Sequence, residues 1–334
     1  MSTISKVAER AGVSRTTVSH VLNHADRVSK PLREKVLAAI DELGYSPNPQ
    51  AQSLRTGRTN IVATLIPDIL NPYFTELVKT VQTELESSGL DALIFNTDVP
   101  GGHPEKHGRQ YLRQFGRKRV DGLIVGDFAL LGMLEELPAV DLPAVFIGRL
   151  PSKTVDSVAL DEYAGGYLMG EHLAKNGHTS IAHVTGPAAL PGADARNAGF
   201  DAALRDHGVA VDPALQFEGT YLQPSGRAAV DWLYETHGGN LPSAIFFANS
   251  LMAIGALAGF YDRGIRIPDD IAVATFDDIA QLEYVRPRLT TVGNSPAVLA
   301  RTATRMLLER ISGKVEGPPR TEIVPCILQR HETA

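Results

Sequence analysis

Along the chain the spacing of hydrophobic positions changes once. Over the first 45 residues, apolar side chains recur three and four apart: Val7, Ala8 and Ala11, then Val18, Val21 and Leu22, then Val36, Leu37, Ile40 and Leu43. That period predicts short helices with one buried face. From Asn60 on, apolar runs of strand length take over, IVATLI, LDALIF, DGLIVG and PAVFIG, separated by helical patterns such as 73–88 and 105–118. After about residue 161 the rhythm resumes with TSIAHVTG, a helix over 194–208, LQFEG, a helix over 224–237, AIFFA, a helix over 250–263 and DIAVATFDD. Apolar strands alternating with helices predict parallel sheets covered on both faces. Two such stretches predict two similar lobes. The expected fold class is a small all-α head followed by a two-lobed α/β body.

Cap and turn residues sharpen the head. Ser5 is the expected N-cap of the first helix, Gly12 permits the positive φ that ends it, and Val13 packs into the corner. Ser14 caps a second helix ending near Asn23. A third begins around Ser29 with Pro31 in its first turn and stops at Gly44. Two helices of about eight residues joined by Ala-Gly-Val, with a third closing the core, form a helix-turn-helix. Its second helix turns Val18 and Leu22 inward and presents Arg15, Thr16 and His20. Arginine bonds guanine bidentately, and threonine offers a methyl and a hydroxyl to base edges. His20, one turn further on, either reaches a base or phosphate or stands as a solvated surface residue. Ser14, Ser19, Asn23 and Arg27 are placed for phosphates, which position the module without reading sequence. Ser5 and Thr17 complete the expected DNA-facing set.

Charge supports that division. The 334 residues carry a net charge of −6, yet the first 60 hold nine Lys/Arg against five Asp/Glu, while the remainder holds 23 against 33. A basic head on an acidic body meets a polyanion through the head alone. The single cysteine, Cys326, excludes an intramolecular disulfide framework and fits a reducing compartment. The N-terminus reaches Lys6, Glu9 and Arg10 without an apolar stretch, so a cytoplasmic location is expected rather than secretion. Ala244 to Tyr261 is an uncharged run, read as a strand, a polar turn at Asn249 and Ser250, and a helix rather than a membrane span. No nucleophile elbow, phosphate-binding loop or dinucleotide fingerprint occurs. His103 and His107 surround a proline in a loop-like GGHPEKHG, and Cys326 lacks a matched base. No enzyme, cofactor or metal is expected.

The string VAERAGVSRTTVSHVLN, followed by RVS, REKVLAAIDELGYSPN and AQSLRTGRT, resembles the N-terminal signature of the LacI/GalR (lactose-repressor) family of bacterial transcription regulators. The resemblance continues through NPYF, VDGLIV, HLAKNGHTSIAHVTGP, ARNAGF, ANSLMAIGAL, GIRIPDDIAV and RPRLTTV, which look like that family's effector domain. It implies a DNA-binding domain over 1–47, a hinge helix and linker over 48–59, and an effector-binding and dimerisation domain over 60–334. Within the last, an N-lobe of about 60–160 and a C-lobe of about 161–290 are joined by crossovers, with a C-terminal segment 291–334. Pro49 to Thr56 is the stretch where the family forms a helix only on DNA, consistent with eight residues being too short to stay helical alone. There Leu54 is the implied wedge between base steps, with Arg55 beside it.

For the cleft, the resemblance implies that Arg196 clamps an effector. Asn249 and Asp277 grip its hydroxyls, and Tyr73, Phe74 and Tyr221 stack on it. Asn249 and Asp277 are equally natural helix N-caps, and the aromatic residues equally natural core. The sequence departs from the family at Ser250, where many relatives have Asp, and at Gly126 and Gly148, leaving Asp127 as a substitute ligand group. Leu190 and Gly192 stand where the purine-binding branch uses arginine and threonine. Trp232 falls on the apolar face of its helix and is read as core. Helix 250–263, with Leu251, Leu257 and Tyr261, resembles the family's dimer surface; ordinary packing on the sheet is the alternative, and both can hold. The expected partners are double-stranded DNA bearing a pseudo-palindromic operator, a second copy of the chain, and a small effector, a sugar or sugar phosphate; no membrane is involved. Whether the effector induces or corepresses stays open. The rival from another class is a sugar-binding protein, which needs a signal peptide and no DNA head.

Overall fold

The computed structural model describes residues 3–23, 27–45, 57–98, 110, 115, 119–188, 190–238 and 240–334. The chain divides into two compact units, Met1–Thr59 and Asn60–Ala334.

In the first unit, α1 (Ile4–Ala11), α2 (Arg15–Asn23) and α3 (Lys30–Glu42) enclose Val7, Ala8, Ala11, Val18, Val21, Val36 and Ala39. Gly12 takes φ 64° at the end of α1, and the Val13 N–H returns to the Ala8 carbonyl at 2.9 Å, with Val13 packed on the core. Ser14 Oγ accepts from Thr17 N at 3.1 Å at the start of α2. Two expectations are corrected. Thr3, not Ser5, caps α1: its hydroxyl accepts from Lys6 N at 3.4 Å. A cap needs extended backbone ahead of the first helical residue; Thr3 has it, and Ser5 is already inside the helix. Leu37 does not join the buried stripe of α3 and is 47% exposed. Val36, Ala39, Ile40 and Leu43 follow one another at three and four residues, whereas position 37 is turned about 100° from Val36.

The second unit is built from two six-stranded sheets. The first lobe contains β1 (Ile61–Ile66), α4 (Pro72–Ser87), β2 (Asp91–Asn96), β3 (Gly122–Val125), α5 (Leu131–Glu136), β4 (Ala144–Ile147) and β5 (Asp156–Leu160). The second contains α6 (Glu162–Lys175), β6 (Ile181–Thr185), α7 (Ala193–Asp206), β7 (Gln216–Glu218), α8 (Gln223–His237), β8 (Ala244–Phe247), α9 (Ser250–Asp262), β9 (Ala272–Phe276) and β10 (Thr290–Gly293). The chain then returns to the first lobe as α10 (Pro296–Ile311) and β11 (Thr321–Val324), and ends in the second as β12 (Ile327–Gln329). Strand order is β2-β1-β3-β4-β5-β11 in one sheet and β7-β6-β8-β9-β10-β12 in the other. Of the helix expected over 105–118, residues 110 and 115 are described and both are helical.

The first sheet is parallel throughout; the second is parallel except for β12, which runs antiparallel to β10 with Gly293 opposite Ile327. The chain reaches β12 straight from β11, across Pro325 and Cys326. It therefore enters the second sheet at the end where β10 leaves, and must run the other way. Asp156 anchors the returning segment: Arg310 reaches its carboxylate at 2.8 and 3.0 Å, and Arg320 N at 2.8 Å.

Burial on both faces of the central strands follows from the apolar runs: β3, β4, β5, β8 and β9 are buried along their length. The uncharged run from Ala244 resolves into β8, an Asn249 cap and α9. Among the described residues no helix is long and apolar enough to cross a membrane. Leu251, read as part of an outer surface, is instead core at 4% exposure. It stands in the first turn of α9 and belongs to the buried cluster that includes Ile245, Phe247 and Ala248. Trp232 is half-buried, its ring 5.4 Å from Phe217. Glycines set the helix spacing. A Cβ on Gly166 would lie 2.0 Å from the Arg196 carbonyl, and one on Gly199 2.0 Å from the Tyr163 carbonyl, so α6 and α7 approach as closely as two backbones can.

One core position carries a pH signature. His183 on β6 lies between Phe200 and Phe246, at 4.6 and 5.1 Å, and neither ring nitrogen has a hydrogen-bond partner. Burial, with the Arg196 charge adding to it, pushes its pKa down to about 3. Below the ordinary histidine value the unfolded chain takes up a proton that the folded chain refuses. Stability is therefore full above about pH 6.5 and falls progressively towards pH 3. Melting at pH 7 and pH 5 should show a loss of about 2 kcal/mol assignable to this side chain. In His183→Leu that part of the pH dependence should vanish; an unchanged dependence would exclude His183 as its source.

Candidate functional site

In the head, the side chains with exposed positions on α2 are Arg15, Thr16 and His20, while Val18 is buried and Leu22 packs on the core. Thr17 and Ser19 are half-buried, and Ser14 is exposed with its hydroxyl 2.9 Å from that of Thr17. Ser5 and Arg27 are exposed. Leu54 and Arg55, the implied hinge residues, lie outside the described residues, as do His103, His107 and the side chain of Asn23.

In the body, the expected effector residues gather where β6, β8 and β9 end. Arg196, in the first turn of α7, is 7% exposed. Its Nε and Nη2 both donate to Glu162 Oε2, at 2.9 and 2.7 Å, and Nη1 donates to the Ala248 carbonyl. The guanidinium lies 3.6 Å over the Phe276 ring. Burial disfavours the cation, but the charge of Glu162, helped by Tyr221 and Asp277, holds it firmly protonated. The arginine is thus satisfied by residues from α6, the end of β8 and the end of β9.

Asp277 follows β9 with φ 67°, and its N–H donates to the Val292 carbonyl at 2.9 Å. Burial pushes its carboxyl up to about 7; Arg196 opposes the shift, and Glu162 and Asp278 add to it. Tyr221, at φ 64°, lays its ring against Gly186, where a Cβ would meet it at 2.0 Å. Two of the four described non-glycine residues with positive φ therefore sit in this cluster, a form of strain that concentrates at ligand sites. Tyr73 opens α4 in the first lobe yet packs on the second lobe's core, and feels the charges of Asp277, Glu162 and Arg196. Burial holds its phenol neutral. Three residues on, Glu76 crosses the same junction, accepting from Ala280 N at 3.3 Å and from Ser295 Oγ at 2.6 Å.

The remaining expected residues are tied into the fold. Asn249 caps α9 through Met252 N at 3.0 Å and donates its amide to the Tyr221 carbonyl at 2.9 Å, holding that residue in place. Asp127 accepts from Ala129 N at 2.9 Å and from the Thr97 hydroxyl. Phe74 meets Tyr73 edge to face at 5.2 Å and packs in the first lobe beside Gly126. Ser250 is buried, its hydroxyl within hydrogen-bond distance of the Phe276 and Asp277 carbonyls, where it fixes the end of β9. Sequence reasoning missed Glu162 and Phe276. Glu162 stands beside Asp161, which caps α6, and a pair of acidic residues at a helix start carries no sign that one of them faces inward. Among the described residues no group of three His, Cys, Asp or Glu side chains could hold a metal ion.

A helix-turn-helix unit on the same chain as a two-lobed body with a polar cluster between its lobes defines a ligand-responsive DNA-binding regulator. Residues 3–48 match the bacterial regulatory proteins of the lacI family, and residues 171–333 the periplasmic binding protein-like domain. The repressor PurR of Erwinia tasmaniensis is 34% identical over all of this chain and 97% of its own length. The regulator DegA of Bacillus subtilis is 33% identical over all of this chain and 98% of its own. Among solved structures, the Lac repressor bound to ONPG superposes with a TM-score of 0.85 at 27% identity, covering 100% of this chain and 99% of that one. The CelR–cellobiose complex gives 0.73 at 29% identity, with both chains covered completely. The chain belongs to the lacI family: it is a DNA-binding transcriptional regulator, and members of that family are not enzymes.

The Arg196–Glu162 pair makes a thermodynamic prediction. Arg196→Met leaves a largely buried carboxylate without its partner and should cost about 3–5 kcal/mol in denaturant unfolding. Adding Glu162→Gln should recover part of that loss, giving a coupling of about 0.5–3 kcal/mol in the double-mutant cycle. Additive single effects would show that the two side chains do not act together.

Proposed function

We propose that this regulator is a repressor which binds a pseudo-palindromic operator as a homodimer and is controlled by a carbohydrate-like effector held between its two lobes. The single observation behind the effector site is convergence. Arg196, Asp277 and Tyr221 of the second lobe and Tyr73 of the first are close enough that their charges and burial act on one another. A carboxylate, an arginine–glutamate pair and flat rings suit hydroxyls and the C–H faces between them. Phe74, Asn249 and Asp127 complete the proposed site, the first as a stacking face and the others as polar groups at strand ends. Solved relatives carry cellobiose and ribose. Leu190 and Gly192 offer none of the polar groups by which the purine-binding branch was distinguished above. A corepressing effector is the alternative sign of the same mechanism: a ligand shifts the lobes only through unequal affinity for their two arrangements.

The proposed organisation assigns 1–47 to operator reading, 48–59 to the hinge and 60–334 to effector binding and dimerisation. Arg15 and Thr16 read base edges and His20 reaches a base or phosphate; Ser14, Ser19, Asn23 and Arg27 hold phosphates, with Ser5 and Thr17 also facing the DNA; Leu54 enters the minor groove with Arg55 beside it. Exposed Tyr261 in the last turn of α9, at 84%, supports a protein-covered surface on that helix. The solved Lac repressor dimer on its operator is the assembly this reading adopts.

Selection of duplexes from a random pool tests it. Enrichment of a palindrome with half-sites about one helical turn apart, and a flexible pyrimidine–purine step between them, is expected. No enrichment, with or without pooled sugars, would count against operator reading. Arg15→Ala should cost about 1–3 kcal/mol on the selected site and relax its preference at one position. Leu54→Ala should weaken operator binding and leave effector binding intact; equal loss of both would remove the wedge role.

A further inference from the structure

Arginine holds a carboxylate or phosphate by offering two parallel N–H groups along one edge. In this protein the Nε–Nη2 edge of Arg196 is already occupied, because both nitrogens donate to Glu162 Oε2 at 2.9 and 2.7 Å. Nη1 is directed at the Ala248 carbonyl, and one face of the group is covered by Phe276 at 3.6 Å. Glu162 is itself only 16% exposed at its side chain, so water does little to screen the pair. A second carboxylate, Asp277, lies near enough to both for each to influence its ionisation. The neighbouring phenols of Tyr73 and Tyr221 contribute no positive charge.

We infer that the effector of this cleft carries no negative charge, and that Glu162 sets this specificity by filling the chelating edge of Arg196. The ligand is an uncharged or cationic molecule that presents hydroxyl or amine donors to Asp277; sugar phosphates and sugar acids are rejected. Above about pH 7, where Asp277 is ionised, an anion entering here meets one neutralised guanidinium and a second carboxylate at low effective dielectric, where repulsion is poorly damped. A neutral polyol exchanges hydrogen bonds with water for hydrogen bonds with the protein and meets no such opposition. The inference rests on the cleft being the effector site and narrows the carbohydrate class proposed above.

Inorganic phosphate is a probe small enough to test the cleft without knowledge of the effector. Full-length protein and Glu162→Gln, with Glu162→Ala as a second variant should the first fold poorly, are melted at pH 8 in phosphate and in chloride of equal ionic strength. The wild type should melt identically in the two salts. The Gln variant should bind phosphate about tenfold or more tightly than the wild type, the scale of effect of removing one adjacent like charge. Adding Arg196→Met to it should abolish the gain. Equal phosphate affinity in wild type and variant, including none in either, would overturn the role given to Glu162. Glucose with glucose 6-phosphate and ribose with ribose 5-phosphate serve as matched pairs. Stabilisation of the wild type by a phosphorylated member and not by its parent would overturn the charge rule. If the phosphate gain is seen but no cleft ligand alters operator binding, the charge rule stands and the effector reading falls.

Discussion

A guanidinium withdrawn from water has to be paired, and the second lobe is arranged around the pairing of Arg196. Desolvating an ion costs several kcal/mol unless its donors are met. Here Glu162 on α6, the Ala248 carbonyl after β8 and the Phe276 ring of β9 meet them together. Those partners come into reach because Gly166 and Gly199 let α6 and α7 lie backbone against backbone. Alanine at either position would put its methyl inside the facing carbonyl and separate the arginine from the glutamate. Close helix packing and site electrostatics are in this sense a single requirement. The same holds at Gly186, whose missing side chain is the space in which Tyr221 lies.

Connectivity explains how such a site can be sensed elsewhere. The chain passes between the lobes three times, after β5, after β10 and after β11. Tyr73 and Glu76 project from one first-lobe helix across the junction, the former towards the Arg196–Asp277 cluster and the latter to Ala280 and Ser295. A ligand contacting Tyr73 and the second lobe at once therefore acts on the same helix that carries the polar contact to the crossover. Differential stabilisation of two lobe arrangements needs no more than that.

The helical head was legible from spacing and punctuation alone: Gly12, Ser14 and Pro31 have the roles their chemistry suggests. The error at Ser5 arose because Thr3 offers the same hydroxyl two residues earlier, and only backbone geometry chooses between them. In the body, strongly apolar strands such as β1, β8 and β9 could be read directly. Strands β5, β10, β11 and β12 carry Asp, Ser, Thr, Glu or Gln, which break the apolar signal, so periodicity does not mark them as strands. Asp156 is buried because Arg310 and Arg320, 154 and 164 residues away in sequence, converge on it.

What the sequence determined by itself was local: the hydrophobic period, the caps and turns, and the uneven charge. These depend on near neighbours or on residue type, and both are visible in a string of letters. The tertiary structure decided what each group faces. It made Asn249 a cap and a support for Tyr221, drew Leu251 into the core, turned Leu37 outward, reversed β12 and placed Glu162 against Arg196. The physical reason is that burial, pairing and strand direction are set by contacts between segments far apart in the chain, and no periodicity within one segment encodes its partner.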